Sequence, residues 1–228
     1  MIGICLTVGA VGSASAQARP DTARYTESVR ATVTTRSGTS VRERRLVRDA
    51  RYRFTNHGDT TAVVAESMAL AEIEDGARED VDVDAVIGGR WLVVGRRVVE
   101  RPFVPQEVAE VSDLAVVMDD FLPMVPPALG QGTEVHTGVT HWERLADSAG
   151  ARRYRWLANA RSTSAHVVAD SVPLQASEDR TESGTGTWAA DGRPIAWRRE
   201  ITSQVSSTVR DRTVHAEVTQ VIVVHREP

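Results

Sequence analysis

Asp80-x-Asp82-x-Asp84 gathers three carboxylates within five residues, and hard divalent cations take several such oxygens from a tight loop. The calcium-loop grammar is absent, because Ala85 stands where glycine is needed and Trp91 where glutamate is needed. On an extended strand the three share one face about 7 Å apart step to step, and that spacing predicts a solvated face. His136 and His141, with Glu143 close by, have the side chains of a zinc site. Five residues apart on one strand means opposite faces, and only a turn at Gly138 brings the two rings together. His57, His166, His215 and His225 are isolated in sequence. The expectation is that no metal and no cofactor is held.

Nucleophilic chemistry finds less support. Thr181-Glu182-Ser183-Gly184 lacks the first glycine of a G-x-S-x-G elbow, the single cysteine is Cys5, and neither a phosphate-binding loop nor a dinucleotide fingerprint is present. A non-enzymatic protein is expected. The five tryptophans, Trp91, Trp142, Trp156, Trp188 and Trp197, carry more information. Tyr154 and Trp156 share one face of a strand, and Trp188 and Trp197 flank a turn, so the aromatics either fill a core or line a concavity for an apolar ligand.

The elements that position these residues read mainly as strands. Val29, Ala31 and Val33 alternate with Arg30, Thr32 and Thr34, and Ala50, Tyr52 and Phe54 alternate with Arg51, Arg53 and Thr55, the period of half-wet strands. Asn56-His57-Gly58-Asp59 supplies turn chemistry. The run Thr61 to Glu74 reads as a strand, with a helix through Val64 to Leu70 as the alternative. Val81, Val83 and Ala85 lead through Gly88-Gly89 to Trp91-Leu92-Val93-Val94 as a hairpin. Between Pro105 and Leu122 the period changes: Val108, Val111, Leu114, Ala115, Met118, Phe121 and Leu122 recur at helical spacing, which predicts one amphipathic helix ended by Pro123. Residues 123–132 form a proline-rich connector and a candidate subdomain boundary. Alternation resumes in Val139 to Leu145, Arg153 to Ala158, Ala165 to Leu174, Thr185 to Ala189, Ile195 to Val209 and Thr213 to His225, with Asp191-Gly192 as a turn. The expected fold is mainly β: an antiparallel curved sheet or half-barrel with one amphipathic helix packed on it.

The apolar run Ile2 to Val11, followed by Ser13-Ala14-Ser15-Ala16-Gln17-Ala18, predicts a cleaved export signal over residues 1–18. Residues 19–228 then form a single β-rich domain in the periplasm or outside the cell. No segment reaches the ~20 apolar residues of a membrane-spanning helix. With Cys5 in the leader, the mature chain holds no disulfide and no thiolate site. A net charge of -4 argues against nucleic acid as a partner. All 27 basic residues are arginine, which the composition explains as GC-rich coding bias.

Leu122 to Pro127, Leu129-Gly130-Gln131-Gly132, Trp142, Gly184-Thr185-Gly186-Thr187-Trp188 and Asp191-Gly192-Arg193-Pro194 before a long final hairpin resemble uncharacterised exported bacterial β-rich proteins over Leu122 to Arg226. The order of elements also resembles the periplasmic lipoprotein carriers, whose half-barrel sheet cradles acyl chains. That resemblance implies a carrier for an apolar or lipid-like molecule, and it transfers no catalytic residue. The expected ligand-binding residues are Trp91 and Trp156 on the sheet and Leu114, Met118 and Phe121 on the helix. A cell-envelope interaction module, docking a protein through its sheet edges or arginine-rich strands, is the alternative, and an unrecognised hydrolase comes third.

Overall fold

The computed structural model describes residues 21–94, 97–105, 134–137, 139–168, 172–209 and 212–228, with the backbone alone at 134–137, 166–168 and 172–174. These residues form one antiparallel sheet of 12 strands. In chain order they are β1 (Asp21–Ser37), β2 (Ser40–His57), β3 (Thr60–Glu74), β4 (Ala77–Val81), β5 (Arg90–Val94), β6 (Arg97–Glu100), β7 (Glu134–Thr137), β8 (Thr140–Ser148), β9 (Ala151–Val168), β10 (Val172–Trp188), β11 (Pro194–Val209) and β12 (Arg212–Arg226). The spatial order is β6-β5-β3-β2-β1-β12-β11-β10-β9-β8-β7, with β4 paired to β3 off this path. The first and last strands therefore meet in the middle of the sheet, with Tyr25 opposite Arg226 and Arg36 opposite His215.

Several sequence expectations need correction. Among the described residues every regular element is a strand and none is a helix, so the sheet-plus-helix architecture gives way to one large sheet. Pro105, where the amphipathic helix was expected to start, has no regular structure. The rest of that segment lies outside the described residues, as does the connector over 123–132. The hairpin expected through Gly88-Gly89 is not formed either. β4 and β5 both pair with β3, at Leu70 to Glu74 and at Thr60 to Val64 respectively. Residues 82–89 turn back between them, held by Gly88 N–H donating to the Ala65 carbonyl at 2.8 Å. The run Ala165 to Leu174 is not one strand but the end of β9 and the start of β10.

Because strand side chains alternate, one face collects the apolar set. Its residues at one end of the strands form a core that includes Tyr25, Tyr52, Val63, Trp91, Trp142, Tyr154, Trp156, Trp188, Trp197 and Ile222, joined by Val83 and Val86 from the 82–89 turns. Burying rings of this size stabilises by roughly 2–3 kcal/mol each. Tyr25 meets Phe54 edge-on at 5.0 Å and Tyr154 meets Trp188 at 5.3 Å, geometries that aromatic quadrupoles favour.

β10 makes room for this core by carrying glycine at two inward positions. A Cβ on Gly184 would stand 2.0 Å from the Trp156 ring, and one on Gly186 would stand 2.5 Å from that of Trp188. The Gly-x-Gly-x-Trp segment is thus a groove across which indoles from β9, β10 and β11 lie.

Candidate functional site

The packed face falls into three zones along the strands. The first is the aromatic end just described, which is filled: Trp91 and Trp188 are among the fully buried side chains. Their indole N–H groups have no acceptor among the described residues.

Beside it runs a belt of buried ion pairs. The register puts Arg48, Val29, Ile222 and Arg199 side by side on β2, β1, β12 and β11. Arg48 Nε donates to Glu27 Oε2 at 3.1 Å, and the Tyr52 hydroxyl donates to the same oxygen at 3.4 Å. On the other side of Val29 and Ile222, Arg199 Nη2 donates to Glu182 Oε2 at 2.7 Å, while Trp156 Nε1 donates to Glu182 Oε1 at 3.1 Å. Ser203 continues the belt with a 2.8 Å bond to Glu178. Buried charge is retained only when it is paired and hydrogen-bonded, and breaking such a pair by removing one partner costs about 3–5 kcal/mol.

Beyond the belt lies a half-open strip. Ala31 and Val33 of β1, Leu46 of β2, Val205 of β11, and Ala216 and Val218 of β12 are at inward positions yet only half-buried. Cross-strand register makes them neighbours: Ala31 faces Leu46, Val33 faces Val218, and Ala216 faces Val205. The strip is mixed: Gln220 stands opposite Ala31, Arg44 opposite Val33 and Ser203 opposite Val218 on the same face.

The outer face is polar and carries many ion pairs within the chain. Glu66 accepts from Arg24 Nε at 2.9 Å and lies 3.1 Å from Arg53 Nε and 3.8 Å from Arg51 Nε. Arg30 grips Asp49 with two 3.0 Å bonds, and Arg161 pairs with Asp179. A hydrogen bond from Arg24 holds the Glu66 carboxyl below the usual carboxylate range. A shallow cavity of about 280 Å³ on this face is lined by Thr34, Arg36, Asp179, Gln204, His215 and Glu217. Val205 and Ala216 also line it, but hydroxyl, amide and charged groups make up most of its lining.

The sequence-expected residues distribute as follows. Trp91 and Trp156 both point into the core, but each is engaged locally, Trp91 edge-on with Tyr52 at 6.2 Å and Trp156 against Trp142 at 5.2 Å. Leu114, Met118 and Phe121 lie outside the described residues. Asp80 accepts from Arg78 at 3.0 Å, and Asp82 caps a turn by accepting the Asp84 N–H at 3.0 Å. Among the described side chains no three His, Cys, Asp or Glu residues stand close enough to share a metal ion. No helix among the described residues is long and apolar enough to cross a membrane.

Sequence reasoning missed the ion-pair belt although its signal was present. Glu27 sits between Tyr25 and Val29, and Arg199 between Trp197 and Ile201, each at the inward parity of its strand.

No family model matches the chain, and no curated protein matches it. Among solved structures, the chain is similar to OccK2 (OpdF) of Pseudomonas aeruginosa with a TM-score of 0.24 and 7% identity over 90% of this chain and 97% of that one. It is also similar to MucB in complex with MucA(peri), with a TM-score of 0.14 and 9% identity over 86% and 88% of the two chains. Similarity this low does not establish a common fold.

Proposed function

We propose that the protein is an exported, non-enzymatic carrier that holds an apolar, chain-like molecule along the half-open strip of its packed face. The observation that carries this reading is that Ala31, Val33, Leu46, Val205, Ala216 and Val218 lie at inward positions on four adjacent strands yet stay half-buried, interspersed with Arg44, Ser203 and Gln220. Burial of apolar surface gains about 25 cal/mol per Å², so an acyl-like molecule laid there removes surface from water that the chain itself leaves wet. The outer cavity suits such a ligand poorly, since hydroxyls, amides and charges line it.

Native mass spectrometry and solvent extraction of the purified protein test the proposal, together with titration of a fluorescent fatty-acid probe. The expected result is a co-purifying apolar species or saturable probe binding, weakened at least about tenfold by Val218→Asp, a loss of about 1.4 kcal/mol. A clean ligand-free mass together with no probe binding overturns it.

The filled aromatic end favours a second reading, an interaction module of the cell envelope in which the same strip meets a protein. The outer arginines do not favour it, because Arg24, Arg30, Arg51, Arg53 and Arg161 each lie within ion-pair distance of a carboxylate of the chain itself, three of them sharing Glu66.

A further inference from the structure

At the end of the half-open strip that meets the ion-pair belt stands Gln220. The register sets it on the packed face between Ala31 of β1 and Ile201 of β11, where directly opposed Cβ atoms lie about 4.5–5.5 Å apart. Strand alternation makes Val218 and Ile222 its neighbours on that face along β12. Gln220 is half-buried, and among the described residues its carboxamide bonds to no other group. The polar side chains around it are already engaged. Arg44 Nε lies 3.3 Å from Glu72 Oε1, Glu182 accepts from Arg199 and Trp156, and the Ser203 hydroxyl donates to Glu178. Gln220 is thus an uncommitted donor and acceptor in a largely aliphatic surround.

A bare hydrocarbon laid over this position would strip water from the carboxamide and return no hydrogen bond, and an unmet buried amide costs more than a made bond gains. A chain that carries its own carbonyl meets the Gln220 NH2 group and removes that cost. We propose that the strip takes an acyl chain bearing an ester or an amide, with its carbonyl at Gln220 beside the belt and its hydrocarbon running outward over Val33, Val218, Val205 and Ala216. This ligand class presupposes the carrier reading. Gln220 is the residue that sets specificity within it, because aliphatic contact alone does not tell an ester from an alkane.

Displacement of a bound fluorescent fatty-acid probe by methyl dodecanoate, N-methyldodecanamide and tetradecane, which match in chain length, tests the assignment. The ester and the amide should compete at least about fivefold more tightly than the alkane, the scale of one net hydrogen bond. Gln220→Met keeps the length of the side chain without its amide, and should erase that preference. Circular dichroism checks that the variant folds, and Gln220→Leu replaces it if it does not. A probe that binds saturably yet is displaced equally well by all three, or a preference that survives in Gln220→Met, overturns the assignment while the carrier reading stands. Absence of saturable probe binding overturns both.

Discussion

At Gly184 the missing side chain matters more than any local backbone preference. The ring of Trp156 occupies the space a Cβ would need, at 2.0 Å, and the indole cannot retreat because its other side meets Trp142 at 5.2 Å and its Nε1 is tied to Glu182. Gly184→Ala is therefore overpacking against a fixed neighbour, with a cost of about 3 kcal/mol, the upper end of the usual range. Gly58 has open space around its Cβ position and φ of +66°, so Gly58→Ala should cost only about 1 kcal/mol of backbone strain. Urea denaturation of the two variants checks the ordering, and equal losses would mean that Trp156 moves aside. The glycines were legible in the sequence as strand and turn grammar. Their function as seats for tryptophan was not, because the ring lying over Gly184 comes from β9.

At the scale of the element, β3 shows why the strand and helix readings competed. Its pairing with β2 shifts between Arg51 and Tyr52, so that Arg51 faces Ser67 while Tyr52 faces Ala65, and Glu66 is the extra residue of a bulge. A bulge breaks the period of two, so the buried positions step by two from Val63 to Ala65, by three to Met68 and by two again to Leu70, and the strand signal is interrupted within an alanine-rich run whose composition also suits a helix. The β1 and β2 alternation, with no such interruption at Tyr25 to Val29 or Arg48 to Tyr52, was readable from the chain alone. The candidate site was less so. The strip from Ala31 to Val218 depends on β1 pairing with β12, a neighbour nearly the whole chain away. The bulge also gives Glu66 its role, as its carboxylate meets Arg24, Arg51 and Arg53 at once.

The Glu66 carboxyl is held below its ordinary value, first by the hydrogen bond from Arg24. The unfolded chain therefore binds its proton at higher pH than the native one. The stability Glu66 contributes is full above the ordinary carboxylate value of about 4.3 and is lost as pH falls through the lower native value. Glu66→Gln should lower stability at neutral pH by about 1 kcal/mol, the scale of exposed ion pairs, and the difference should shrink in acid. Denaturation midpoints of both proteins at pH 7 and pH 3 check this, with an undiminished gap at pH 3 as the contrary result.

For the whole molecule, the decisive pairing is that of β1 with β12. Each half of the chain builds outward from this seam, β1 through β6 on one side and β12 back through β7 on the other. Core residues are drawn from both sides, with Tyr25 against Trp197 at 6.3 Å across the intervening strand. The seam also closes at its end, where the Glu227 N–H donates to the Arg24 carbonyl at 2.9 Å. A contact between residues this far apart in sequence carries a large loop-closure cost before any burial offsets it, so neither half gains its packed face until the ends of the chain meet. Removing β12 exposes the inner edge of β1 and strips Ile222 and Val224, both fully buried, from between the two ion pairs, leaving Arg199 on the edge strand of one sheet and Arg48 one strand in from the edge of the other. A chain truncated before Arg212 should therefore lose its cooperative thermal transition entirely rather than keep a folded N-terminal half. Differential scanning calorimetry of the truncated and full-length proteins distinguishes the outcomes, and a surviving sharp transition from residues 21–105 would show that β1 to β6 fold without the seam.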